Sequence, residues 1–373
     1  MTTRAEKRQI PLVDLAKQYD VLRHEMEKAV VDQLASGKYI LGEQVAKLEC
    51  EIAGYTGARY ALSCASGSDA LLLALMAHDV KPGDEIITTP FTFFATAGSI
   101  ARLGALPVFV DIEPDTCNID PEKIKGKITK RTRGIMPVHL YGQPADMDPI
   151  LAVAREKGLF VIEDAAQAIG AVYKGRRVGT IGSIGAFSFF PTKNLGAAGD
   201  GGFMTTDDAA LAEKLRLLRV HGAGNQYFHK YVGINSRLDA LQAVILLVKL
   251  KYLEGWHAAR RRHAAHYDKL FAGSQVKAPV IRPGNVTVYN QYVVRTAKRD
   301  GLKEHLAKQG IASCVYYPLS LSLQECFSYL GHRKGDFPVT EKAASEVLAL
   351  PVAPELTEDD IRYVAEKVLE FFI

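Results

Sequence analysis

No apolar run in this 373-residue chain is long enough to cross a membrane. The longest, LQAVILLVKL over residues 241–250, is interrupted by Gln242 and Lys249, whereas a spanning helix needs about 20 apolar residues. The opening MTTRAEKRQIPLVDL is polar and has no signal-peptide apolar core. Cysteine is sparse: Cys50, Cys64, Cys117, Cys314 and Cys326 are odd in number, scattered and free of CxxC spacing. That pattern excludes a disulfide framework or a zinc cage and points to a reducing cytoplasm. The net charge of +4 is too weak to argue for nucleic acid and is compatible with a small anionic substrate. Internal repeats, low-complexity stretches and long linkers are also missing.

What is present is an ordinary globular composition, 48% hydrophobic and 24% charged, with strand-like and helix-like runs alternating through the first two-thirds. Leu22, Met26, Ala29 and Val30 form one helical face with Gly37 as its stop; Val45, Leu48, Ile52 and Tyr55 form another, ending near Gly57. YALSC reads as a strand and SGSDALLLALMAH as a helix starting at about Asp69. DEIITTP, LPVFVDI, GIMPVHLY and LFVIEDAA read as further strands, and Asp148–Pro149 as a helix start. This rhythm predicts an α/β fold with a mostly parallel sheet covered on both faces. A single long helix is expected from about Ser236 past His266. A domain boundary inside it, near residue 248, gives a large domain (1–248) and a smaller C-terminal α/β domain (249–373).

Open α/β sheets bind ligands at the carboxyl ends of their strands, and four elements fall there. In CASGSDALLLAL, Gly67 and Ser68 turn a strand into a helix whose N–H groups could cradle a phosphate; a ligand-free helix cap is the plain alternative. In PFTFFAT, one of Phe91, Phe93 and Phe94 could stack on a planar ring, or all three could be core. In VIEDAAQA, Asp164 would need a cation if buried, and a protonated pyridine would serve, with Gln167 three residues on; otherwise Asp164 is a helix cap. In SFFPTKNLGAAGDGG, Lys193 follows Phe189, Phe190 and Pro191 and precedes Gly196, Gly199, Gly201 and Gly202, with Ser188 within reach of a phosphate. A partly desolvated amine has the depressed pKa that a Schiff-base lysine requires; a solvated loop lysine is the ordinary reading. Taken together, phosphate cradle, stacking aromatic, pyridine-pairing acid and lysine before glycines follow the order in which a pyridoxal phosphate enzyme meets its cofactor.

At this point the chain resembles the DegT/DnrJ/StrS sugar aminotransferases, which are fold-type-I, aspartate-aminotransferase-like pyridoxal phosphate enzymes. The resemblance runs from IPLVDLAKQYD through SGKYILGEQVAKLE, SGSDAL, PVHLYGQPADMDPI, IEDAAQAIGA, SFFPTKNLGAAGDGG and VGINSRLDALQA to LPVAPELT. It implies that Lys193 is the Schiff-base lysine, Asp164 pairs with the pyridine nitrogen, Gln167 with the phenolic oxygen, Phe93 stacks on the ring, and Gly67, Ser68 and Ser188 hold the phosphate. Asn235 matches the asparagine that reaches the phosphate of the neighbouring subunit, implying a homodimer with shared active sites. A lysine at 193, where the dehydratase branch has histidine, implies amine transfer. L-glutamate leaves as 2-oxoglutarate, the cofactor passes through its pyridoxamine phosphate form, and a nucleotide-linked ketosugar accepts the amine.

The stretch from Arg219 to Glu254 resembles the branch acting on UDP-2-acetamido-3-keto sugars, which makes 2,3-diamino sugars for lipopolysaccharide and lipid A. Close relatives carry His-Tyr-Pro where this chain has Tyr316-Tyr317-Pro318, a motif bordering the sugar pocket. Loss of an imidazole there weakens the case for a uronate carboxylate. Arg237 could take a carboxylate by a bidentate contact or form an ion pair with Asp239 or another acid. In ARRRHAAH, the residues Arg260, Arg261, Arg262, His263 and His266 are expected on a solvated helix face. His139 borders the site or is a hydrogen-bonded structural histidine, and Cys64 is a buried strand residue without thiolate character.

Overall fold

The chain is described by a computed structural model covering residues 8–225 and 227–373. Helix α1 (Leu15–Ser36) starts where the Asp14 carboxylate accepts the Lys17 N–H at 2.9 Å, and ends at Gly37, whose φ of 66° suits glycine. Helix α2 (Glu43–Thr56) buries Val45, Leu48 and Ile52 and ends in the same way at Gly57. Beyond them lies a seven-stranded sheet of β1 (Tyr60–Cys64), β2 (Glu85–Thr88), β3 (Leu106–Phe109), β4 (Thr132–Ile135), β5 (Phe160–Asp164), β6 (Ile184–Ser188) and β7 (Gly202–Thr206), in the order β1-β7-β6-β5-β4-β2-β3. Strand β7 runs antiparallel to both neighbours, and the remaining pairings are parallel.

Successive strand residues feed opposite faces, as the pleat requires. Ala61, Ile87, Val161 and Phe203 join a core formed with α2, α5 (Met147–Lys157) and α7 (Ala240–Leu250). Leu62, Ile86, Ile162 and Met204 join a second core formed with α3 (Gly67–Ala77), α4 (Phe94–Arg102) and α6 (Ala209–Leu218). The expected mostly parallel sheet, covered on both sides, is therefore present. A third core gathers Tyr267 and Phe271 of α8 (Leu253–Phe271), Tyr292 and Val294 of β8 (Tyr292–Arg295), Leu348 and Leu350 of β9 (Val347–Leu350), and Ile361, Val364 and Val368 of α11 (Glu358–Glu370). We propose that the large and small domains divide as 1–248 and 249–373, a division this separate core supports; Ile10 packs into it from the large domain, and Leu253 and Val288 pack into the first core from the small one. Among the described residues no helix is long and apolar enough to cross a membrane.

Four local expectations are corrected. The long helix is two helices. Helix α7 begins at Ala240 and stops at Leu250, and α8 begins at Leu253; at the junction the Tyr252 N–H bonds the Lys249 carbonyl three residues back, at 3.0 Å. Helix α7 packs on α1 and α2 while α8 packs on α11, so the chain turns between two cores without glycine or proline. Helix α3 starts at Gly67 rather than near Asp69, because Ser66 is its cap: the Ser66 Oγ accepts the Asp69 N–H at 3.1 Å. Helix α5 is entered from Asp146, leaving Asp148 inside the first turn. Arg260 and His263 are buried rather than solvated, because they fall on the same stripe of α8 as Ala264, Tyr267 and Phe271.

Candidate active site

Strands β1, β5 and β6 point the same way, so Cys64, Asp164 and Ser188 finish at one edge of the sheet, the edge where loops can converge. There Gly67, Ser68, Phe93, Asp164, Gln167, Ser188, Lys193, Tyr316 and Tyr317 line one cavity of about 440 Å³. Nine residues singled out from the sequence are thus brought together. A larger groove, about 870 Å³, lies between α1, α2 and α7, but its lining holds no buried acid–amine pair.

One end of the cavity is a backbone cradle. Helix α3 presents its first N–H groups there, and a Cβ on Gly67 would lie 2.6 Å from the Ser188 Cβ. A Cβ on Gly202 would lie 2.5 Å from the Ser66 carbonyl oxygen. Only glycines allow the helix start, the end of β6 and the start of β7 to approach this closely, leaving the Ser68 and Ser188 side chains at an anion-binding helix terminus.

At the other end Asp164 is 5% exposed. Its Oδ2 accepts the Thr96 hydroxyl at 2.7 Å and its Oδ1 accepts the Ala166 N–H at 3.2 Å. Burial pushes its pKa up, opposed by those hydrogen bonds and by the attraction of Lys193. Burial pushes the Lys193 amine down to about 8, against the pull of Asp164. An acid made reluctant to ionise and an amine made reluctant to protonate share one cavity, a pairing characteristic of functional sites.

The walls follow from neighbouring loops. The Gln167 Oε1 accepts the Tyr141 N–H at 2.7 Å, which turns its Nε2 toward the Tyr317 hydroxyl at 3.3 Å. The Tyr141 hydroxyl donates to the Tyr316 carbonyl, and the Tyr316–Tyr317 peptide is cis. Phe93 is 58% exposed, its ring centre 6.3 Å from that of Tyr317. Phe91 is fully buried in the core, and Phe94 packs toward Phe327. His139 proves structural. Its Nδ1 accepts the Ala145 N–H at 3.0 Å, leaving Nε2 to donate to Glu163 at 2.9 Å. Glu163 also accepts the N–H groups of Gly179, Ile181 and Gly182, each at 2.7 Å. Burial raises the Glu163 pKa, but these donors outweigh it and hold the carboxyl below its usual value. Cys64 is buried, which pushes its thiol pKa up and keeps it inert.

Asn235 and Arg237 lie outside this cavity. Asn235 is exposed and Arg237 half-buried, and the Arg237 guanidinium forms no ion pair with Asp239 or any other acid among the described residues. Sequence reasoning missed Thr92, Thr96 and Gln291. Thr96 sits on the buried face of α4 one turn from Phe93, and a polar residue on an apolar stripe was the available signal. Thr92 bonds Thr96 at 3.0 Å between hydroxyls, and Gln291 lines the cavity from the approach to β8.

The cradle, the buried acid, the depressed amine and the exposed aromatic together fit a flat phosphorylated ring. Residues 20–369 match the model of the DegT/DnrJ/EryC1/StrS aminotransferase family. A protein of Geobacillus stearothermophilus named "Pleiotropic regulatory protein" is 52% identical over 97% of this chain and 98% of its own. The UDP-N-acetyl-3-dehydro-alpha-D-glucosamine 3-aminotransferase of Acidithiobacillus ferrooxidans is 46% identical over 95% of this chain and 96% of its own. The dTDP-3-amino-3,4,6-trideoxy-alpha-D-glucose transaminase of Streptomyces venezuelae is 41% identical over 100% of this chain and 98% of its own. Among solved structures, S. venezuelae DesV in complex with a ketimine intermediate superposes with a TM-score of 0.95 at 41% identity, over 97% of this chain and 98% of that one. Other neighbours were solved in pyridoxal phosphate or pyridoxamine phosphate forms.

Proposed function

The chain belongs to the DegT/DnrJ/EryC1/StrS aminotransferase family, with the fold-type-I architecture and pyridoxal phosphate as cofactor. From that premise we propose that it moves an amino group from L-glutamate to the 3-keto carbon of a UDP-2-acetamido-3-keto sugar, giving a UDP-2,3-diamino sugar for lipopolysaccharide or lipid A. The observation that carries the reading is the buried Asp164 and the depressed Lys193 amine within one cavity. The sugar-acting relatives at 46% and 41% identity both name an amine at carbon 3, which supports that position over carbon 4.

The cofactor, when bound, supplies an aldehyde and an electron-accepting ring. Lys193 would supply the amine for that aldehyde and would hold and move the proton at the substrate carbon. Asp164, its carboxylate fixed by Thr96 and the Ala166 N–H, would hold a negative charge for the ring nitrogen. Gly67, Ser68 and Ser188 would hold the phosphate, Phe93 would cover the ring face, and Gln167 would donate to the ring hydroxyl oxygen. Tyr316 and Tyr317 border the sugar. Lys193 is the one basic side chain lining the cavity among the described residues, yet a diphosphate sugar and glutamate bring several negative charges. This supports a homodimer in which a second copy of the chain lends Asn235 and Arg237 to the site. That no other basic side chain among the described residues lines the cavity with Tyr316 supports a neutral carbon 6 over a uronate.

A side-by-side panel of UDP- and dTDP-linked 3-keto and 4-keto sugars tests the substrate. Preference for a 4-keto sugar would overturn the position while leaving the chemistry in place. A second reading, a non-catalytic regulator binding the same ligands, is favoured by the name of the 52%-identical relative. Glutamate added to the yellow protein decides between them: conversion to the pyridoxamine spectrum requires catalysis, and no change with any amino donor favours the regulator.

A further inference from the structure

Helix α7 carries two polar side chains, Gln242 and Lys249, spaced by two helical turns and so on one face. Both reach the loop that follows Lys193. The Gln242 Oε1 accepts the Ala198 N–H at 2.9 Å, and the Lys249 Nζ donates to the Gly196 carbonyl at 2.8 Å. A third hold comes from Asn194, whose Nδ2 donates to the Val288 carbonyl at 3.0 Å and whose Oδ1 accepts from the Asn290 Nδ2 at 2.7 Å. The loop between these holds is wound tightly on itself. The Lys193 N–H bonds the Phe190 carbonyl at 2.8 Å and the Ala197 N–H bonds the Phe189 carbonyl at 2.7 Å. A Cβ on Gly196 would overlap the Pro191 carbonyl.

Lys249 is an unusual residue for its place. It is 5% exposed, on the helix face it shares with Gln242 and the buried Ile245 and Leu246. Buried ammonium groups normally stand beside an acid, but among the described residues no carboxylate lies within ion-pairing distance of Lys249. Burial pushes its amine down to about 8, and Glu355 opposes this only from further away. An apolar side chain would pack there with less desolvation, so the contact it does make, to the Gly196 carbonyl, is what distinguishes lysine at this position.

We propose that Lys249 is a positioning residue for Lys193: by holding the Gly196 carbonyl from α7, it keeps the loop from Lys193 to Ala198 in one conformation that presents the Lys193 amine to the cavity. This rests on the reading of Lys193 as the amine that links to the cofactor.

The test is peptide-resolved amide hydrogen exchange on the full-length protein without cofactor, comparing wild type with Lys249→Met, which keeps the volume and removes the donor, and with Gln242→Met. Exchange across residues 190–199 should quicken about tenfold or more in Lys249→Met, with the strands of the large sheet unchanged; Gln242→Met should loosen the same peptides. With cofactor added, the glutamate half-reaction of Lys249→Met should slow about tenfold while its half-saturation by glutamate holds within about twofold, and Lys249→Arg, which retains a donor, should recover most of the rate. Unchanged loop exchange in Lys249→Met would overturn the proposal, as would equal acceleration across the whole large domain. If Lys249→Met does not fold, Lys249→Gln, which shortens the side chain, decides on the same peptides. If wild type itself gives no half-reaction with glutamate, the functional reading fails, and the cofactor-free exchange still decides the positioning role.

Discussion

The Lys193 amine offers the sharpest test of the site's physics. Burial holds its pKa at about 8 rather than 10.5, with Asp164 pulling the other way. At pH 7.5 the neutral fraction is 1/(1 + 10^0.5), about a quarter, against about one in a thousand for an ordinary lysine, a gain of about 240-fold in reactive amine. Competitive acetylation of the cofactor-free protein across pH 6–11, read on the peptide containing residue 193, should titrate near 8, well below the surface lysines. Asp164→Asn removes the attraction that raises this pKa, so the midpoint should move below 8. The same shift fixes the direction of a stability effect. Between pH 8 and 10.5 the unfolded chain holds a proton on this residue that the folded chain has released, so cofactor-free stability gains from Lys193 as pH rises through that window. Below pH 8 the penalty for burying the charge applies in full, about 3 kcal/mol. Lys193→Met should therefore be more stable than wild type at pH 7, with the difference vanishing by about pH 10.5. A labelling midpoint near 10.5, or an upward shift in Asp164→Asn, would refute the argument.

Three further outcomes follow from named contacts. Thr96→Val strips the hydroxyl from the Asp164 Oδ2; loss of a donor to a charged group is worth about 1.5–3 kcal/mol, and turnover should fall about tenfold or more with the fold intact by circular dichroism. Gly67→Ala drives a methyl to 2.6 Å from the Ser188 Cβ; the cradle must open, and pyridoxal phosphate affinity, measured by absorbance titration, should weaken by about 1–3 kcal/mol. Asp111→Ala removes the carboxylate that accepts the Val339 and Thr340 N–H groups at the start of α10 (Pro338–Glu346), at 3.1 and 2.9 Å; urea unfolding should show a loss of about 1–2 kcal/mol.

Much of this molecule was legible locally. Gly37 and Gly57 end their helices because only glycine adopts positive φ without strain, and YALSC is a strand over the residues its pattern marks. Seven of the nine cavity residues were readable because ligand groups gather at strand ends, which apolar runs locate; Tyr316 and Tyr317 were reached only through the family resemblance. What failed locally failed for want of a local signal. The junction at Lys251–Tyr252 has no glycine or proline, and the chain turns there because α7 and α8 serve different cores. Arg260 and His263 look like part of a solvated charge run until the segments at Tyr289–Asn290 and Val352–Ala353 pack against their helix.

The sequence by itself determined the sheet, the glycine helix ends and the identities of the groups at the carboxyl edge, since each depends on residue type and short-range periodicity. Only the tertiary structure decided how those groups behave. The Lys193 amine is depressed because distant segments exclude water from it, Asp164 at the end of β5 is held by Thr96 from α4, and the lysine loop is bonded by Lys249 from 53 positions along the chain. Desolvation and hydrogen-bond partnership are properties of the assembled surroundings, and no stretch of sequence carries them alone.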